Sequence, residues 1–112
     1  MSYILIDMDS CLAHGEGRDT DPIGEPYSEI VDLVKQWIRD GQEVRIFTAR
    51  ATTQAGTDNV ATWLERHELP PLKITNVKDY DCALILDDRA RQVKDGKVIG
   101  DISLKPPCKK HA

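Results

Sequence analysis

The chain has 112 residues, of which 40% are hydrophobic and 30% charged, and it carries a formal net charge of −4. That is the composition of one globular domain near the lower end of comfortable core size, and it argues against disorder and against a broad electrostatic grip on nucleic acid. No apolar run approaches the length of a membrane span, and Cys11, Cys82 and Cys108 form no CxxC pair, so a reducing, cytoplasmic setting is expected rather than a disulfide framework or a zinc site.

The first element is a buried strand over residues 3 to 8, in which Tyr3-Ile4-Leu5-Ile6 runs straight into Asp7, with Asp9 two positions later. The stretch from 13 to 26 (AHGEGRDTDPIGEP) is polar and rich in Gly, Asp and Pro, a loop that could serve as a flap over a site but is too short for a second domain. From Tyr27 to Asp40 the apolar residues Ile30, Val31, Val34, Trp37 and Ile38 recur at helical spacing, and Gly41 stops the helix. Glu43 to Phe47 reads as a second strand ending at Thr48. After a polar stretch containing Gly56, Thr57 is the expected N-cap of a second helix carrying Val60, Trp63 and Leu64, which Pro70 and Pro71 terminate.

Residues 72 to 75 (LKIT) suggest a short third strand, and residues 83 to 86 (ALIL) a fourth, which again runs into a pair of aspartates, Asp87 and Asp88. A hairpin with a tight Asp95-Gly96 turn is expected over 91 to 99. The expected organisation is one domain over 1–104 with a flexible tail over 105–112 (KPPCKKHA). Alternating strands and helices predict an α/β fold, a Rossmann-like parallel sheet with helices on both faces. In such sheets the ligand crevice lies outside the carboxyl ends of the strands, so Asp7, Asp9, Thr48, Asp87 and Asp88 are candidates for a single site.

One Asp after a strand is ordinarily a turn-former. Carboxylates gathered from two strand ends repel one another and are forced to take up protons unless a cation lies between them, and carboxylate oxygens suit Mg²⁺. Beside such a cation a carboxylate can attack phosphorus, and a second carboxyl group can protonate the leaving oxygen and then activate water.

At this point "ILIDMDSCL", "VRIFTAR", "NVKDYD" and "LILDDRA", in that order, together resemble the four motifs of haloacid-dehalogenase-superfamily phosphatases without a cap domain. The resemblance implies an HAD-like core and an aspartyl-phosphate mechanism with Mg²⁺ as cofactor. Asp7 would be the nucleophile, Asp9 the general acid/base, and Thr48 a hydrogen-bonding partner of the phosphoryl group. Lys78, or Lys73 in its place, would neutralise that group. The metal would be held by Asp7, the backbone carbonyl of Asp9 and Asp88, with Asp87 bonding through water or to the lysine. Backbone groups of Met8, Asp9 and Ser10, and of Thr48 and Ala49, would cradle the phosphate. Family members usually have Gly at position 10 and Thr or Val at position 11, where this chain has Ser10 and Cys11. Cys11 should pack inward, and it lacks a histidine partner that would make it a nucleophile.

Neither gap between motifs has room for a cap. Arg50 and Arg89 are expected at the mouth of the site, contacting a second phosphate or stacking on a base, with salt bridges to local aspartates as the plainer alternative. Thr48-Ala49-Arg50 and Asp87-Asp88-Arg89 are similar to the corresponding stretches of the 3′-phosphatase domain of phage-type polynucleotide kinase/phosphatases, and "DMDSCLA" with Asp-Asp-Arg is also similar to deoxyribonucleotidases. The expected substrate is therefore a phosphorylated nucleic-acid end or nucleotide, acted on by a monomer or small homo-oligomer away from membranes. The alternatives are a phosphoprotein or small-metabolite phosphatase, and a non-catalytic phosphate-binding module. A CheY-like receiver fits badly, because its phosphorylated aspartate ends the third strand. His14, in the flap loop, is a minor candidate for substrate contact.

Overall fold

The computed structural model describes residues 1–15 and 18–104; the expectation of a flexible tail over 105–112 lies outside the described residues. Five strands and helices form the frame that positions the strand ends: β1 (Tyr3–Asp7), α1 (Ser28–Arg39), β2 (Glu43–Phe47), α2 (Gln54–Arg66) and β3 (Lys73–Thr75). β4 (Cys82–Leu86) completes the main sheet, and β5 (Gln92–Lys94) with β6 (Lys97–Ile99) makes a separate hairpin. The main sheet is parallel throughout, with strand order β3-β2-β1-β4. β1 lies between two neighbours and buries Tyr3, Ile4, Leu5 and Ile6, which is why its sequence is continuously apolar rather than alternating.

Side chains alternate across a sheet, so Ile4 and Ile6 of β1 share a face with Val44 and Ile46 of β2. That face packs against Val31 and Val34 of α1 and Val60, Trp63 and Leu64 of α2 in one core cluster. Both helices therefore lie on the same face, which corrects the expectation of helices on both. The reason is topological. The chain steps in one direction from β1 to β2 to β3, so both right-handed crossovers fall on one side. The return from β3 to β4 is made by residues 76–81 alone. Extended chain of that length reaches roughly 20 Å, and three strand spacings already take about 14 Å, so no slack is left for a helix.

This return link is fastened to the second face. Tyr3 donates its hydroxyl to Asp79 Oδ1 at 2.7 Å and accepts from the Asp79 N–H at 3.0 Å. Arg45 lies 3.7 Å over the Tyr3 ring and pairs with Glu43 at 2.6 Å.

A second correction concerns the start of α2. Its N-cap is Thr53, whose hydroxyl accepts from the Gly56 N–H at 3.0 Å, and Thr57 lies inside the helix with its hydroxyl on the Thr53 carbonyl. Gly56 reads as a loop residue in the sequence, yet it belongs to the first turn. A Cβ there would stand 2.0 Å from the Arg50 carbonyl oxygen, so glycine lets the helix start abut the 3-10 turn at Ala49–Thr52. The hairpin is as expected, with Asp95 and Gly96 both at positive φ (53° and 76°), the signature of a type I′ turn. Among the described residues, no helix is long and apolar enough to cross a membrane.

Candidate metal and phosphoryl site

Strand order reverses between β1 and β4, because the chain leaves β1 on one side and returns to it on the other. The crevice at that reversal is where open α/β sheets bind ligands. Asp7 ends β1, and Asp87 and Asp88 follow β4 immediately, so one crevice gathers residues eighty positions apart. One carboxylate oxygen from each of Asp7, Asp87 and Asp88 lies within 4.8 Å of the others, and all three residues are partly buried. Asp87 is oriented by the Arg89 N–H, which donates to its Oδ1 at 2.8 Å.

The cluster carries its own electrostatic signature. Burial, the Asp87 charge, and a side-chain hydrogen bond with Asp88 together push Asp7 up to about 8. Among the described residues, none of the strongest charges acting on it is a cation. Without a metal, three such carboxylates relieve their repulsion by holding a proton near neutral pH. A hard divalent cation replaces that proton with more charge and with oxygen ligands it prefers. The donor set therefore fits Mg²⁺.

Asp9 is not part of this cluster. Its two oxygens accept from Arg50 Nε at 2.8 Å and Nη2 at 2.7 Å in a forked pair. Arg50 is fully buried, so the expectation of an arginine at the mouth is corrected: the plainer alternative, an ion pair with a local aspartate, holds. The remaining Arg50 nitrogen, Nη1, donates to the carbonyls of Asp21 (2.6 Å) and Asp19 (3.3 Å). Asn59 Nδ2 donates to the same two carbonyls, and Trp63 Nε1 to that of Gly24 at 2.9 Å. The described part of the loop 13–26 is thus tied down from α2 by Asn59, which the sequence reading did not name, and by Trp63, which it read only as an apolar residue of the helix. Asn59 and Trp63 are four apart on one helical face, which was the available signal. Gly15 belongs to the same arrangement, since a Cβ there would meet Asp9 Oδ1 at 2.1 Å.

Thr48 ends β2 as expected, is buried, and accepts the Arg50 N–H on its hydroxyl at 3.1 Å, which leaves its own proton to donate. Ala49 is exposed in the turn that follows. Met8 is fully buried, and its carbonyl accepts from Leu12 and Ala13. Ser10 takes φ = +63°, the left-handed region in which glycine is at ease. Its N–H is bonded to the Ala13 carbonyl at 2.8 Å, so it does not cradle an anion here. Cys11 packs against the core with Sγ 3.6 Å from the Leu86 carbonyl. Burial and the charges of Asp7, Asp87 and Asp88 push its thiol up to about 11, the opposite of a nucleophile's environment.

Among the described residues, neither Lys78 nor Lys73 forms an ion pair with an aspartate of the cluster. Lys78 is exposed in the return link beside Asp79, which bonds Tyr3 at the opposite end of β1, and among the described residues it makes no ion pair. Lys73 opens β3 in register with Arg45 and is exposed. Arg89 is exposed beside Asp87. His14 stacks on Tyr27 with ring centroids 3.9 Å apart. Beside the acidic cluster, between the Ser10–Cys11 turn, the start of α1 and the end of β4, lies a groove of about 510 Å³. No protein-family model, curated protein or solved structure matches the chain.

Proposed function

We propose that the chain is a Mg²⁺-dependent phosphomonoester hydrolase with an HAD-like core that works through an aspartyl-phosphate on Asp7. The observation that carries this reading is the convergence of Asp7, Asp87 and Asp88 oxygens within 4.8 Å at the reversal of strand order. A bound Mg²⁺ would supply charge neutralisation for the phosphoryl oxygens and the carboxylates together. Asp7, Asp87 and Asp88, with the Asp9 carbonyl, are the groups to hold it.

In this reading an Asp7 carboxylate oxygen attacks phosphorus, and the bond from phosphorus to the leaving oxygen breaks. Asp9 gives that oxygen a proton. Water then attacks phosphorus and loses a proton to Asp9, releasing inorganic phosphate and restoring Asp7. Arg50 fixes Asp9 two residues from the nucleophile. Each Asp9 oxygen keeps a lone pair the guanidinium does not use, and there the proton is carried. Thr48 offers its hydroxyl proton to a phosphoryl oxygen. No lysine is assigned, so the cation and the hydroxyl bear the charge.

The proposed substrates are nucleic-acid ends or nucleotides: of the two arginines expected at the mouth, Arg50 is committed to Asp9 and Arg89 stands exposed beside Asp87. The test is phosphate release with Mg²⁺ from a panel of a nucleoside monophosphate, 3′- and 5′-phosphorylated oligonucleotides, a phosphopeptide and an aryl phosphate. Release should fall by about 10³-fold or more in Asp7→Asn, the scale expected for loss of a nucleophile, and should stop with EDTA. Release that survives Asp7→Asn overturns the mechanism, and Mg²⁺ binding without turnover of any member favours a phosphate-binding module.

A further inference from the structure

We propose that the chain forms a two-fold dimer through the free edge of β4, joining two four-stranded sheets into one, with the α1 helices of the two copies facing each other over the seam. This surface is one the phosphatase reading does not use, and the dimer stands or falls separately from it.

The first observation is the edge itself. β4 ends the strand order β3-β2-β1-β4, and among the described residues no strand lies on its far side. Its outward N–H and C=O groups are therefore a template for another strand. Sheet edges are ordinarily guarded by charge, proline or shortness, as β3 is, with three residues opening on Lys73. Cys82-Ala83-Leu84-Ile85-Leu86 carries no charge and no proline. Its one irregularity is the register shift against β1 at Ala83, which leaves residues 84–86 regular.

The second observation is an apolar shelf above that edge. Glu29 and Ile30 of α1 line one groove with Leu86, so this flank of α1 faces the β4 side of the sheet. Leu33 falls between them on the helical wheel one turn on, and Trp37 continues the stripe. Leu84 pairs with Ile4 and so points to the same helix-bearing face. Yet Leu33 is 37% exposed and Leu84 44%, so neither helix covers them.

The third is area. The chain exposes 7498 Å², whereas a folded monomer of 12.6 kDa ordinarily exposes about 6,200 Å². That excess is larger than the roughly 800 Å² each partner gives to a stable interface. No described residue from 76 to 104 is buried, and β4 belongs to that stretch.

A second copy is the occupant these features fit. An edge strand paired antiparallel with itself across a two-fold axis is its own complement. Centred on Leu84, the pairing sets Leu84 against Leu84, Ala83 against Ile85 and Cys82 against Leu86, apolar on apolar at every position. The axis then runs perpendicular to the sheet, which keeps both helix-bearing faces on one side and brings the two Leu33 stripes toward each other. Asp87 and Asp88 of the two copies stand at opposite ends of the paired strands, roughly 20 Å apart, so their charges do not meet across the axis.

The experiment is sedimentation velocity of the full chain across about 1–100 μM. The wild type should sediment at twice the chain mass. Leu84→Lys and Leu33→Glu should each weaken self-association by about 30-fold or more, the scale of a central interface residue, with helix content by circular dichroism unchanged. Leu33→Glu, at an exposed helix position, carries the test if Leu84→Lys unfolds. Val93→Lys, exposed on the hairpin, should leave the dimer intact. A monomer throughout the range overturns the proposal. So does a dimer that survives Leu84→Lys and Leu33→Glu, or one that Val93→Lys dissociates, because either result puts the contact elsewhere.

Discussion

Ser10 shows how one side chain is held where its backbone would rather not be. An L-residue in the left-handed region is strained by roughly 1–2 kcal/mol, and glycine gives back part of that through its looser unfolded chain. Ser10→Gly should therefore stabilise the protein by about 0.5–1 kcal/mol in urea unfolding. Asp7 makes the opposite kind of demand. Its carboxyl is raised from the ordinary carboxylate value to about 8, so between about pH 4 and 8 the folded state holds a proton the unfolded chain has released. That contribution to stability is full below the unfolded value and is lost as pH rises through the folded one. Metal-free protein should melt at progressively lower temperature from pH 4 to 8, Mg²⁺ should reverse the loss most strongly at the alkaline end, and Asp7→Asn should flatten both curves. Thermal melts across pH with and without Mg²⁺ check this.

At the scale of elements, the decisive connection is Arg50, which joins the β1 turn, the loop 13–26 and the start of α2. Its charge has no exposure, and its partner carboxylate is nearly buried as well (0% and 12%). Removing one member of such a pair strands the other without water, a loss of about 3–5 kcal/mol. Arg50→Met should therefore be destabilised by that amount, with Asp9→Asn/Arg50→Met together recovering part of it in a double-mutant cycle. Arg50→Lys should rescue little, because an ammonium cannot serve both Asp9 oxygens and the loop carbonyls at once. Loss of the pair should also free the loop, visible as faster amide exchange over the described part of 13–26.

Across the whole molecule, stability is unevenly spread. β1 is flanked on both edges and buried, whereas every residue of the β5–β6 hairpin is exposed, including the facing pair Val93 and Val98. A two-stranded hairpin with no covered face is marginal by itself. Hydrogen exchange should thus rank β1 amides slowest, near the global unfolding limit, and those of β5 and β6 far faster through local opening. Equal protection in the two would mean that another surface covers the hairpin in solution.

The sequence by itself determined what is local or periodic: the continuously apolar β1, the amphipathic α1, the Asp-Gly hairpin turn, and the aspartates that follow two strands. Each follows from the preferences of a few neighbouring residues or from a repeat of two or 3.6. It also implied that Asp7, Asp87 and Asp88 would meet, because parallel strands share a carboxyl end, but it counted with them Asp9, which turns to Arg50. Tertiary structure alone decided that both helices occupy one face, that Thr53 rather than Thr57 caps α2, that Lys78 lies away from the acidic cluster, and that Arg50 turns inward to Asp9. These depend on strand order, on the reach of a six-residue return link, and on a backbone approach that only Gly56 permits. Such distances are set between segments far apart in the chain, where no local preference of any single residue can act.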